Sequence, residues 1–562
     1  MTMEMLSKSM SFEEIARAYY RAWFRFHPEA AVKVGVRGYG HLLTPYTEDE
    51  RGALVCLNDA LIVALEELAR DGLSVDEQLD RDILYNAARL ENEYLLDVEP
   101  QRLDPGRILP CNAIYQLLIR PVEDFPTCLM ARLDAIAPHL LGARAYLAAA
   151  VAAIPPLWAD SAATAAHAGV RFLQDLPDHP KVKAHAHHLG GLDATLRIAA
   201  QALREYGDFL VRDIVAHARG DFACGGSYFE HLLRRRHFID ISVDEVRTLG
   251  VRLFDETQAK LAAACRELGG HEDVAALTRR INAEHPPAER LLHIYREQMQ
   301  AAQAFVHERD LVSVPIAAHL EVAATPLFLR HQIPFAAYSE PSPNDPGQQG
   351  YYYVTPPVDD AHLTAHHHAA IMHTCVHEAW PGHHLQFVTA NQIPAARSLP
   401  RLLNPSATLY EGWALYSEQL MHEHGFLARP ESRFLLLKDR LWRALRVLLD
   451  VDLHTRGLSL DSAMGLMTRH LGFSPSQALA DLTWYTRSPT VPLSYATGWS
   501  IINSVRDQLR HNHPGFNLKQ FHDQLLSQGS VALPRVVRRV YGEAMWTAVR
   551  QRLVQGAVNE TA

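Results

Sequence analysis

Residues 376–386 read Val-His-Glu-Ala-Trp-Pro-Gly-His-His-Leu-Gln, and the rest of the chain is best read outward from them. A His-Glu pair opens the zinc motif H-E-x-x-H, in which the imidazole holds the metal and the carboxylate takes a proton from water beside it. The second histidine of that motif lies four residues on, one turn along the same helix face. Here that position is Pro381, and the histidines arrive only at His383 and His384. The pattern is a relative of the motif carrying two or three inserted residues.

In a straight helix, residues six or seven apart are separated by roughly 9–10 Å along the axis. Two imidazoles at that separation cannot share an ion through bonds of about 2.0–2.1 Å. Pro381 removes a backbone donor and clashes with the preceding turn, while Gly382 permits dihedrals closed to other residues. A kink at Pro-Gly is expected to fold the next histidine back towards His377. His383, directly after the glycine, is the expected second ligand and His384 its rival. Glu378 is the candidate general base.

Residues 410–418, Tyr-Glu-Gly-Trp-Ala-Leu-Tyr-Ser-Glu, lie between a start signal at Asn404-Pro405-Ser406, with Ser406 as N-cap, and a stop at Gly425. Glu411 lies 27 positions after His384 and 28 after His383. Glu418, seven residues further, shares its helix face and is placed to orient a ligand histidine. The segment resembles the N-E-G-F-A stretch that carries the third, carboxylate ligand in aminopeptidases of the glutamate-type zinc class, which makes Glu411 the third ligand by resemblance.

Together the two motifs look like the large bacterial family known as domain of unknown function 885, itself similar to helical zinc metallopeptidases of the gluzincin type. The likeness runs from the stretch Tyr19 to Gly40, through Gly350 to Thr355 and Arg443 to Asp450, to Pro492 to Gly498. Members often carry Arg-Tyr where this chain has Trp484-Tyr485, and Arg487 stands close enough to substitute for that arginine.

The chain has 562 residues, 48% hydrophobic and 21% charged, with a net charge of −10, an ordinary globular composition. An acidic balance without a Lys/Arg stripe argues against a nucleic-acid partner. Six scattered cysteines give no Cys-x-x-Cys, hence no disulfide framework or thiolate zinc site. The first residues lack the apolar core of a secretory signal, and the longest uncharged apolar run, Ala145 to Ile154, is half a membrane span. A cytoplasmic protein with no membrane partner is the expectation; the sequence leaves its oligomeric state open. The trio His366-His367-His368 reads as surface, because adjacent histidines point in different directions on a helix.

Helical periodicity dominates, with amphipathic stretches at about 76–93, 126–153, 193–218, 243–268 and 288–308. Strand formers concentrate between about 312 and 358, including 312–316, 334–338 and Tyr351 to Val354. The last of these is the candidate edge strand, with Tyr351 and Tyr353 against an extended substrate. A helix from Asp359 or Asp360 to Trp380 is expected to carry His377. The segment 431–456 is apolar almost all round, except for a stripe of Arg443, Arg446, Asp450 and His454. There Arg443 or Arg446 is placed to clamp a substrate carboxylate, and His454 to donate to a developing oxyanion. Tyr495, then Tyr485, are the tyrosine candidates for that oxyanion role.

The expected architecture is mainly α: a two-lobed helical body with a deep cleft and a small β-sheet next to the metal helix, read as one domain over 1–562. Its helical part covers about 1–310, and the sheet and metal site about 311–562. The expected chemistry is hydrolysis of a small peptide or amide by one Zn²⁺ per chain; manganese, cobalt or iron also suit such ligands. A metal-dependent lyase acting on a small metabolite is the alternative, and a binding protein with a vestigial site the weaker one.

Overall fold

The computed structural model describes residues 10–556 apart from 317, 326–329, 331, 332, 334, 346 and 358. Residues 1–9, most of the stretch searched for a secretory signal, lie outside the described residues. Among the described residues the fold is mainly helical, with one small three-stranded sheet. The described residues gather into two compact units. One runs to Phe222 and takes in Ser342–Asn344; the other comprises Ala223–Thr325, Ile333–Pro341 and the chain from Asp345 onward.

Helices of the first unit begin where the sequence can satisfy their free N–H groups. Ser11, Thr47 and Ser74 each accept from the N–H three residues on, and Glu14, Glu50 and Glu77 reach back to the capping residue. The longer helices Phe125–Ala148, Pro156–Asp175 and Leu192–Phe209 bury Leu129, Ile136, Leu173, Leu203 and Tyr206.

In the second unit the helix Pro430–Thr455 packs on Val243–Gly269, and a Cβ on Gly250 would come within 2.8 Å of Val447 Cγ1. The polar stripe read from its sequence is not turned to water: Arg446, Asp450 and His454 are buried. Asp450 accepts backbone N–H bonds from Thr490 at 3.2 Å and Leu493 at 3.1 Å.

The sheet consists of β1 (His319–Ala324), β2 (Ala336–Ser339) and β3 (Gln349–Val354) in the order β1-β3-β2, with β1 parallel and β2 antiparallel to β3. This corrects the edge assignment, because β3 is the central strand and both its edges are taken. Gly350, Tyr352 and Val354 are buried on one face; Tyr351 and Tyr353 stack on the other, 5.8 Å apart. Residues 312–316 form no strand, and Ser313 instead bonds Asp523 through its N–H and hydroxyl.

The expected single helix from Asp359 to Trp380 is broken. Asp359 caps only the short turn Asp360–Leu363, and a new helix, His368–Glu378, starts where His367 Nδ1 accepts from the Ala370 N–H. The histidine trio is therefore not a surface cluster. His366 is buried against the Tyr295 hydroxyl at 3.0 Å, His367 is a buried cap and His368 is half-buried.

Candidate metal centre

The helix bearing His377 ends at Glu378, and the next, His383–Gln392, begins immediately after Gly382. Between them the chain turns back tightly: the Trp380 N–H donates to Cys375 O at 3.2 Å and the Gly382 N–H to Val376 O at 3.0 Å. A Cβ on Gly382 would collide with the carbonyl oxygens of both Val376 and His377, so only glycine fits. From the second motif, the buried Trp413 indole donates to Pro381 O at 2.6 Å. Gly382→Ala is expected to destabilise the fold by about 1–3 kcal/mol through overpacking and to part His383 from His377. Thermal unfolding together with metal content checks this; a variant unchanged in both would show that the turn relaxes freely.

With the chain reversed, three side chains converge. The rings of His377 and His383 stand 4.9 Å apart at 87°. His383 Nε2 lies 3.3 Å from Glu411 Oε2, and His377 Nε2 lies 3.8 Å from the same oxygen. His377 Nδ1 lies 2.7 Å from Glu418 Oε1. Donation there anchors the Nδ1 proton, so the proton that an ion would displace is the one on Nε2, the nitrogen facing Glu411. One imidazole is thus held between two carboxylates two turns apart on a single helix, Ala407–Glu423.

The electrostatics are those of a site short of positive charge. Burial works against charging His377, but Glu411 and Glu418, with Glu378 adding, push it up to about 10. For Glu411 burial alone would raise the carboxyl, yet the imidazoles of His383 and His377 hold it well below the usual carboxylate range. Even so, Glu411 Oε2 is buried without a hydrogen-bond partner. Atoms bonded to one tetrahedral ion at about 2.0–2.2 Å sit roughly 3.3–3.6 Å apart, close to the spacing seen here. The donor set of two imidazoles and one carboxylate fits a zinc-like divalent ion.

His384 turns elsewhere. Its Nδ1 meets the Tyr338 hydroxyl at 3.1 Å, its ring packs on Trp380, and it lies against Gly350, where a Cβ would come within 2.8 Å of Nδ1. Burial, with His319 nearby, pulls its imidazole down to about 3. Since His384 adjoins the Gly350 face of β3, Tyr351 and Tyr353 project from the opposite face and are not brought to His384.

Tyr495 stands in the first turn of Ser494–Asn512. This helix meets the Glu411 helix where two glycines face each other: a Cβ on Gly412 would come within 2.7 Å of Gly498 Cα. The contact brings the Tyr495 hydroxyl to Glu411, and burial together with that carboxylate pushes the phenol well above its ordinary value. It is a neutral donor at physiological pH. Arg446 and Arg443 lie 4.6 and 5.9 Å from the Tyr495 ring, and both stack on Trp442, at 4.2 and 4.1 Å. Nη1 of each, and Nε of Arg443, is buried without a hydrogen-bond partner.

Two other sequence candidates are occupied elsewhere. His454 is buried with both ring nitrogens on backbone groups, Nδ1 accepting from the Cys224 N–H at 3.4 Å and Nε2 facing Tyr485 O at 3.1 Å. It is not brought to the metal cluster. The Tyr485 hydroxyl accepts from Arg446 Nε at 2.8 Å and Trp442 Nε1 at 3.2 Å, and donates to Asp481 at 2.9 Å. That fills its bonding capacity. Arg487 is the last residue of the same helix, Pro475–Arg487. Sequence reading missed an aromatic wall beside His383, made by Tyr338, Phe387 and Tyr410 at 6.5, 6.2 and 6.2 Å. Nothing in the periodicity around these three residues links them.

The family model of bacterial proteins of unknown function, DUF885, matches residues 28–540. The chain belongs to this family. Two solved structures share its fold. One, from Shewanella oneidensis and described as a "putative lipoprotein" of unknown function, has a TM-score of 0.76 at 20% identity, covering 97% of this chain and 100% of its own. The other, described as the "putative lipoprotein" from Colwellia psychrerythraea, has a TM-score of 0.78 at 17% identity, covering 98% and 99%. No curated protein matches the chain.

Proposed function

We propose that this DUF885 protein is a metal-dependent hydrolase that cleaves a peptide or related amide bond in a small substrate. One observation carries the reading: a buried Glu411 oxygen without a hydrogen-bond partner faces His377 and His383, while Glu418 holds His377 in the tautomer that a ligand needs. The likeness of the two motifs to gluzincin-type peptidases points the same way. An ion bound there, Zn²⁺ by its donor set, supplies Lewis acidity and a more acidic water. Glu378 accepts the proton of the attacking water and passes it towards the leaving amine. Tyr495, kept protonated, donates to the oxygen on which negative charge develops. Arg443 and Arg446 orient a charged group of the substrate.

A panel of short peptides, free or blocked at either end, tests the reading by product mass. Two fragments that together exceed the substrate by one water support hydrolysis; loss of a small molecule without water uptake would assign a lyase instead. Tyr495→Phe is expected to lower kcat by about 10²–10³-fold, as loss of an oxyanion donor does, with KM little changed. Tyr485→Phe is expected to cost stability, about 1–3 kcal/mol for the buried partners left unpaired, and little in kcat. The reverse pattern would exchange their roles. We also propose a cytoplasmic location, in keeping with six unpaired cysteines; subcellular fractionation tests it. Among the described residues no helix is long and apolar enough to cross a membrane.

A further inference from the structure

One turn before His377 on the same helix, His373 is buried, and neither of its ring nitrogens makes a hydrogen bond of good geometry, the backbone of Ser432 being its one weak contact of that kind. An imidazole so placed ordinarily spends at least one nitrogen on a neighbour, since an unmet buried polar atom costs about 1–3 kcal/mol. What His373 faces is a pair of carboxylates. A ring nitrogen of His373, an oxygen of Glu418 and an oxygen of Asp439 all lie within 4.8 Å of one another. Glu418 is buried; one of its oxygens is taken by His377, and the other, Oε2, has no hydrogen-bond partner. Three helices supply the group: His368–Glu378, Ala407–Glu423 and Pro430–Thr455.

We propose that His373, Glu418 and Asp439 form a second divalent-cation site, separate from the His377–His383–Glu411 cluster and joined to it through Glu418. The donors, one imidazole nitrogen and two carboxylate oxygens, suit a zinc- or manganese-like ion and fall short of the six to eight oxygens that calcium takes. Burial favours the neutral imidazole at His373, the form that ligates. Arg443 Nη1 stands 3.7 Å from Asp439 Oδ1 and offsets part of the negative charge. It leaves Glu418 Oε2 without a hydrogen-bond partner and the imidazole of His373 without a well-formed one. Asp439 is only partly covered, at 34% side-chain exposure, and gives the ion a way in. Donors bound at about 2.0–2.2 Å cannot stand more than about 4.4 Å apart, so side-chain rotation draws the three slightly inward. A cation here would hold Glu418 as the carboxylate that anchors the Nδ1 proton of His377.

The test is the number of ions bound. Metal-free protein titrated with Zn²⁺, and separately with Mn²⁺, is expected to take two ions per chain, measured by calorimetry and by elemental analysis after desalting. Asp439→Asn and His373→Gln should each bind one, as should His383→Ala; the double variant His383→Ala/Asp439→Asn should bind none. Asp439 is about a third exposed, so its amide variant is expected to fold even if the His373 variant does not. A wild type that saturates at one ion would overturn the proposal and leave a bridging water between His373 and the carboxylates. So would an Asp439→Asn protein that still binds two.

Discussion

His383→Ala is expected to lose one metal ion per chain, whereas His384→Ala keeps the wild-type metal content. The two residues are adjacent, yet the turn at Gly382 sends them in different directions. His383 Nε2 reaches to 3.3 Å from Glu411, while His384 bonds Tyr338 on β2 and packs on Trp380. Removing one of three donors should weaken binding well beyond the roughly 10–100-fold that changes behind the ligands cause. His377→Ala and Glu411→Ala should match His383→Ala, because each takes away a donor and leaves the other two facing the same charge deficit. His384→Ala instead opens a space beneath Gly350 and removes the bond from Nδ1 to the Tyr338 hydroxyl, so activity falls through substrate positioning while metal stays. Elemental analysis after gel filtration separates the cases. Metal lost from the His384 variant and kept by the His383 variant would exchange the two residues.

The reversal at Pro381-Gly382 was legible because its cause is local: proline ends hydrogen bonding, and the glycine must approach two carbonyls where no Cβ fits. Glu411 was legible through the resemblance of its segment to the glutamate-type peptidases, and Glu418 because seven residues return it to the same helix face. What went unread depends on how distant segments cover one another. Arg443, Arg446, Asp450 and His454 share a stripe at spacings of three, four and four, but periodicity does not say what lies over that stripe. Backbone from Cys224 and Tyr485 covers it at His454, which becomes part of the core. The strand at 349–354 announced itself by composition, yet its central place follows from β2 folding back onto it, and no residue within β3 encodes that order. Gly412 stands in the second motif and Gly498 in the stretch 492–498, but their meeting, which carries Tyr495 to Glu411, is a tertiary contact without a spacing rule.

Glu378→Gln is expected to keep both metal and fold while turnover drops by about 10²–10⁴-fold, the usual worth of general-base help. One residue's step turns Glu378 about 100° around the helix from His377, so it flanks the imidazole without sharing its direction. Half-buried, it adds its negative charge to the field at His377. The amide matches the carboxylate in size, so the helix end and the Gly382 turn have no reason to shift. It cannot take a proton, however, and only the step that needs one should suffer. Metal content and turnover must therefore be measured on the same preparation. Near-wild-type turnover would give the base role to another group or remove metal-assisted hydrolysis from consideration. Loss of metal would make Glu378 a ligand, and the parallel with a zinc peptidase, in which the residue after the first histidine serves the water and leaves the ion to its neighbours, would fail at its central residue.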